Sequence, residues 1–143
     1  MVTAMHISVE HDADPQDMQT VERGLEAFNH EQIDPGPGFE RVNILVRDGN
    51  GTIRGGLLGG TYWGWLYIRI LWLHEDLRDQ GYGSQLVHMA EDIARERGCH
   101  HVHLDTMSFQ ALDFYLKLGF EECGRLDDLP LGHCRIYLEK ALI

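Results

Sequence analysis

Arg78-Asp79-Gln80-Gly81-Tyr82-Gly83-Ser84 joins a run of large apolar residues, 62–73, to a segment, 83–97, that places Leu86, Val87, Ala90, Ile93 and Ala94 on one helical stripe. Gly98 stands where a left-handed residue ends a helix. The junction is therefore strand, turn, helix, and its two glycines accept positive φ without steric penalty. Successive N–H groups in such a turn converge at the positive end of the helix dipole, which makes a cradle for a pyrophosphate. A plain chain reversal at the same two glycines is the alternative reading of this turn taken alone.

Upstream, the run 62–73 is apolar at both parities, as in a central strand covered on both faces. Residues 39–47 and 52–61 read as strands around the turn Asp48-Gly49-Asn50-Gly51, giving an antiparallel hairpin. Residues 6–10 alternate and suit a short first strand, and Asp14-Pro15 reads as an N-cap followed by proline at the first helical position. Met18, Val21, Leu25 and Phe28 give that helix one apolar face until Asp34-Pro35-Gly36-Pro37-Gly38 breaks it. Downstream, the pattern predicts a strand at 100–105, a helix at 110–118 stopped by Gly119, and strands at 120–126 and 133–140. No repeat or linker divides the chain.

Two nucleotide-binding readings of the cradle fail. No G-x-x-x-x-G-K-S/T sequence exists, which removes the P-loop. A dinucleotide fold is suggested by Gly81 and Gly83 with Asp105 at the end of the next strand, but Leu86 replaces the third glycine and only one βαβ unit is present. The sequence instead resembles the GNAT acetyltransferases. Their acyl-CoA signature, Arg/Gln-x-x-Gly-x-Gly/Ala, is matched by Arg78, Gly81 and Gly83, and Ala111-Leu112-Asp113-Phe114-Tyr115-Leu116-Lys117-Leu118-Gly119-Phe120 resembles the family's Ala-x-x-Phe-Tyr-x-Lys-x-Gly-Phe segment. The likeness is specific over residues 66–120. Ser108 stands where many relatives have asparagine, so contacts made by that asparagine do not carry over.

The resemblance implies an α+β (mixed α/β) fold: one domain over residues 1–143, with a mostly antiparallel mixed sheet of about six to seven strands, flanked by helices and splayed at the acyl-CoA site. It implies an enzyme, an acyl-CoA N-acyltransferase that moves an acetyl group from acetyl-CoA to a primary amine by direct attack. By the same resemblance, Arg78, Asp79, Gln80, Gly81, Tyr82, Gly83 and Ser84 would bind the cofactor, backbone N–H groups from about Gln80 to Ser84 holding its pyrophosphate, Leu71 to Leu73 would pair with the pantetheine, and Phe114 would also contact the cofactor. A backbone N–H near Leu73 would polarise the thioester carbonyl. Tyr115 would be the general acid toward the CoA thiolate, although ordinary pKa values of about 10 and about 8.5 make full transfer uphill by ~2 kcal/mol.

The base is the open position. Relatives often place Glu on the central strand, whereas residues 62–73 contain no carboxylate and offer Tyr67 and Arg69. Glu31, Asp34, His74, Glu75 and Asp76 are the remaining candidates, directly or through water. In Cys99-His100-His101-Val102-His103, alternation puts Cys99, His101 and His103 on one face, but no complete metal-ligand set accompanies them and a polar strand face accounts for them.

Composition is that of a globular protein, 43% hydrophobic and 24% charged. Twelve Lys and Arg against twenty-three Asp and Glu give a net charge of −11, which opposes nucleic-acid binding and favours a cationic partner. Three cysteines without a C-x-x-C pair suggest neither a disulfide framework nor a zinc site, and no window reaches the ~18 apolar residues of a membrane span. The expected partners are acetyl-CoA and an unidentified, small, cationic amine acceptor, with no metal, nucleic acid or membrane, in the cytoplasm, and with a homodimer as a candidate assembly. Two other readings compete: a CoA-binding regulatory module that has lost turnover, and an acetyltransferase for protein amines.

Overall fold

A computed structural model describes residues 3–143. The chain divides into two compact units, one ending at Gly36 and the other Pro37–Ile143, each described by itself.

The first unit contains α1 (Pro15–Gln32). Asp14 caps it, its carboxylate accepting the Gln16 N–H at 2.9 Å, and Pro15 fills the first position, where an N–H would have no helical partner. The strand expected over residues 6–10 does not form. Alternation marks a face, but a strand exists only where backbone groups meet a ladder partner. Asp34 then accepts the Gly36 N–H at 3.0 Å, and Gly36 and Gly38 both turn through positive φ, which ends the helical path.

The second unit is one open sheet of β1 (Glu40–Arg47), β2 (Ile53–Tyr62), β3 (Trp65–Leu73), β4 (His101–Met107), β5 (Glu121–Asp127) and β6 (Cys134–Ala141), in the order β1-β2-β3-β4-β6-β5. Only β3 and β4 run parallel; every other neighbouring pair is antiparallel. The parallel step is made by α2 (Tyr82–Glu96), and α3 (Leu112–Lys117) follows β4. Helix α2 buries Leu86, Val87, Ala90 and Ala94 in a core with Val42, Ile44, Leu57, Leu66, Ile68, Val102 and Leu104. Each large side chain buried this way contributes roughly 1.5–3 kcal/mol. Across that interface Lys140 Nζ lies 2.7 Å from Oε2 of the fully buried Glu91, an ionic contact without hydrogen-bond alignment, while His88 Nδ1 stands 3.1 Å from the other oxygen.

The stretch 62–73 is not one strand. The chain reverses at Trp63 and Gly64, both at positive φ, so a second tight hairpin joins β2 to β3. Nor is β3 covered on both faces: Leu66 and Ile68 are buried, whereas Ile70 and Trp72 are exposed. Its apolar outer positions are explained by stacking rather than by a covering helix. Trp65 stacks on His101 at 4.6 Å and Tyr67 on His103 at 4.8 Å.

A bulge and a splay set the course of β3 past its midpoint. Gly59 approaches so closely that any Cβ would collide with the Tyr67 carbonyl, and the register shifts there, leaving Arg69 unpaired between Ile68↔Gly59 and Ile70↔Leu58. This bulge reverses the alternation, so that Leu71 and Leu73, rather than Ile70 and Trp72, turn toward the core. Pairing with β4 stops at Ile68↔Leu104. Beyond it β3 continues against β2 alone and β4 against β6 alone, which is the expected splay.

Candidate active site

The splay opens on a cleft of about 700 Å³. One wall is Leu71 and Leu73 with the turn residues Arg78, Asp79, Gly81, Gly83 and Ser84; the other is Ser108, Gln110, Ala111, Leu112, Asp113, Phe114 and Tyr115. The turn is fixed by its own side chains. Arg78 Nε donates to the Leu73 carbonyl at 3.2 Å, Gln80 Nε2 donates to the Asp76 carbonyl at 2.6 Å, and Arg54 pairs with Asp76 at 3.2 Å. His74 Nδ1 accepts the Asp76 N–H, so His74 and Asp76, two of the candidate bases, are engaged in holding this loop.

The two signature glycines act differently from the expectation that both would take positive φ. Gly81, the N-cap of α2, does so at 85°, and so does the non-glycine Asp79 at 60°. Gly83 is an ordinary helical residue whose missing side chain provides clearance: a Cβ there would sit 3.1 Å from the Phe114 ring and 3.7 Å from Leu73. Helix α2 has no side-chain cap, and its first backbone bond runs from Gln85 N–H to the Gly81 carbonyl at 3.1 Å. The N–H groups of Tyr82, Gly83 and Ser84 therefore head the helix without carbonyl partners, at its positive end. That is the donor set an anionic phosphate requires.

Of the residues expected to contact acetyl-CoA, Leu71, Leu73, Arg78, Asp79, Gly81, Gly83, Ser84 and Phe114 line the cleft, with Tyr115 on the far wall. The side chains of Gln80 and Tyr82 do not; Gln80 turns back to Asp76, leaving its backbone as its contribution to the turn. Sequence reasoning missed Ser108, Gln110, Ala111, Leu112 and Asp113. Gln110 accepts the Met107 N–H at 2.8 Å and Ser108 Oγ accepts the Cys134 N–H at 3.0 Å, so polar side chains fold the β4–α3 link onto the cleft. A polar Ser-Phe-Gln triplet directly before the Ala-x-x-Phe-Tyr segment was the available signal.

Tyr115 is 7% exposed, its ring edge-on to Phe114 and Phe120. Burial first, and the Asp105 carboxylate second, push its hydroxyl up to about 12. A phenol so placed stays protonated at neutral pH and is able to donate a hydrogen bond. On the sheet face opposite α2, β4 presents His101, His103 and Asp105, while Val102, Leu104 and Thr106 point inward. Asp105 accepts from Arg135 Nε at 2.9 Å and is 17% exposed. Burial holds the His103 imidazole below its ordinary pKa, with Asp105 pulling the other way. Among the described residues no group of three or more His, Cys, Asp or Glu is arranged to hold a metal, and no helix is long and apolar enough to cross a membrane.

Comparison with known proteins bears on this geometry. The sequence model of the acetyltransferase (GNAT) family matches residues 8–120. Acetyltransferase Atu2258 of Agrobacterium fabrum is 41% identical over 99 residues, which span 69% of this chain and 72% of that protein. Blasticidin-S acetyltransferase of Streptomyces morookaense is 38% identical over 93 residues, 64% of this chain and 68% of that one. The crystal structure of an acetyltransferase from Bacillus cereus superposes with a TM-score of 0.84 at 35% identity, covering 96% of this chain and 99% of the other.

Proposed function

The chain belongs to the acetyltransferase (GNAT) family, with acetyl-CoA as cosubstrate, and from that premise we propose that it acetylates the primary amine of a small, cationic acceptor by direct attack. One observation carries the reading: the unpartnered N-terminus of α2 and Tyr115 line one cleft, at the point where β3 loses its pairing with β4. The fit to a CoA thioester is specific. Three free N–H groups suit a pyrophosphate, the clearance at Gly83 lets the Phe114 ring pack against the start of α2, and the unpaired edge of β3 past Ile68 offers hydrogen bonds to an extended amide chain.

In this reading the backbone of Gln80 to Ser84 binds the pyrophosphate, Leu71 and Leu73 align the pantetheine, and a β3 N–H polarises the thioester carbonyl. Tyr115 stabilises the departing sulfur. With its pKa at about 12 and a thiol near about 8.5, complete proton transfer is uphill by ~5 kcal/mol, so Tyr115 works as a hydrogen-bond donor and solvent supplies the proton in the end. A cationic acceptor is supported by the net charge of −11, and a small one by the similarity to an acetyltransferase named for blasticidin S.

Acetyl-CoA should raise the thermal midpoint, whereas NADH and ATP should not. Thiol release should then follow addition of small cationic amines and be weaker with neutral amines of the same size. The rival, a CoA-binding regulatory module, draws on the absence of a carboxylate from β3. It predicts the same thermal shift with no thiol release from any amine.

A further inference from the structure

The histidines of β4 are not accounted for by the cleft, yet they sit at the seam where it opens. Tyr67↔His103 is the last outward-facing pair before β3 and β4 part, and Asp105 is the next outward residue on β4. The His103 ring lies parallel to Tyr67 at 4.8 Å and 15°, with Trp65 edge-on at 5.6 Å. Asp105 is fixed by Arg135, which also lies over the Tyr137 ring. The Asp105 carboxylate raises the pKa of both His103 and Tyr115.

We propose that His103 is the general base of acetyl transfer, its imidazole taking the proton of the acceptor ammonium at the outer mouth of the β3–β4 split, with Asp105 as the positioning residue that favours the imidazolium formed. This rests on the acetyl-transfer reading and fills the position left open by the missing β3 carboxylate. The ammonium gives one proton to the imidazole, the freed lone pair forms the C–N bond to the acetyl carbon, and the second proton that nitrogen sheds to become an amide passes to solvent. The C–S bond breaks, its electron pair stays on the CoA sulfur, and that sulfur is hydrogen-bonded by Tyr115 and protonated from solvent. His103 is stacked on Tyr67 but keeps access to solvent, so its imidazolium returns the proton to water.

The surroundings suit the role. Facing His103 are His101 and Asp105 from its own strand, Trp65, Tyr67 and the unpaired Arg69 from β3, and Glu139 directly opposite with Tyr137 and Arg135 from β6; Glu121 of β5 stands behind Glu139. Arg135 pairs with Asp105 and fixes the carboxylate that holds the His103 pKa up. With burial as the leading influence, His103 is a free base at neutral pH and available to accept.

The test uses the full chain and follows thiol release with two probe sets: alkyl diamines and polyamines, protonated at neutral pH, and an arylamine, already neutral there. His103→Gln should lower kcat/KM for the alkyl amines about 10²-fold at neutral pH, less as the pH nears the amine's own pKa, and leave the arylamine within about twofold. Asp105→Asn should move the acidic limb of the alkyl-amine profile to lower pH, since Asp105 holds the His103 pKa up. Acetyl-CoA affinity should be unchanged in both, and His103→Asn serves if the glutamine variant does not fold. A folded His103 variant with the parental alkyl-amine profile, or one that loses both amine classes equally, overturns the assignment while acetyl transfer stands. A parent chain that binds acetyl-CoA but acetylates none of the probes overturns the underlying reading, and the assignment with it.

Discussion

Tyr115 shows how much one residue's chemistry depends on neighbours distant in sequence. Its identity and place in the Ala-x-x-Phe-Tyr segment are plain from the sequence, but its pKa of about 12 comes from burial against Phe120 and from Asp105 on β4. A hydrogen bond to a developing thiolate is worth ~1.5–3 kcal/mol, so Tyr115→Phe should lower kcat about 10²-fold with little change in acetyl-CoA affinity. The deficit should be constant from about pH 6 to 9, because the phenol stays protonated throughout that range. A deficit that titrates within it would assign the proton to another group. Linkage adds a second signature. The raised folded-state pKa contributes stability that is fully present below the ordinary tyrosine pKa of about 10 and is lost as the pH rises through about 12, some ~3 kcal/mol that Tyr115→Phe should not lose in alkaline denaturation. Gly83 is the opposite case. The sequence cannot separate a glycine needed for φ from one needed for clearance, and the Phe114 contact shows that clearance is the reason. Gly83→Val should therefore fold, and weaken acetyl-CoA binding about tenfold or more by titration calorimetry.

At the scale of elements, α2 and the outer strands are legible because periodicity, caps and turn residues agree on them. Asp14-Pro15 and Asp48-Gly49-Asn50-Gly51 form the cap and turn they spell. The stretch 62–73 misleads because aromatic residues stacked on imidazoles look, in one dimension, like residues buried beneath a helix. The bulge at Arg69 is illegible for a related reason: it goes with a close approach of the Tyr67 carbonyl to Gly59, a residue on another strand that has no Cβ to obstruct it. So is the Glu91–Lys140 pair, which joins α2 to β6 across 49 positions of sequence. Removing one member strands a buried charge, so Lys140→Ala should destabilise the fold by ~3–5 kcal/mol in urea. Replacing both, with Glu91→Leu and Lys140→Met, should recover most of that loss, and a double variant no better than the single one would mean that packing, not charge, holds the contact.

For the whole molecule, family and fold are readable from two short motifs, because a glycine turn at the head of α2 and the Ala-x-x-Phe-Tyr segment at fixed separation constrain the elements between them. The acceptor side is not, since the outer sheet face is assembled from β3, β4 and β6, whose residues are scattered through the sequence. With a net charge of −11, kcat/KM for a cationic acceptor should fall as salt shortens the Debye length to about 10 Å at 0.1 M, while a neutral amine should be little affected. The central claim is acetyl transfer from acetyl-CoA to an amine, and the most direct measurement follows both products together: free CoA thiol and the mass of the amine, across a panel of primary amines at saturating acetyl-CoA. The account predicts, for at least one cationic amine, one acetyl group gained per thiol released, at a rate lowered about 10²-fold in Tyr115→Phe. Thiol release with no acetylated amine, or tight acetyl-CoA binding with neither product, would contradict it.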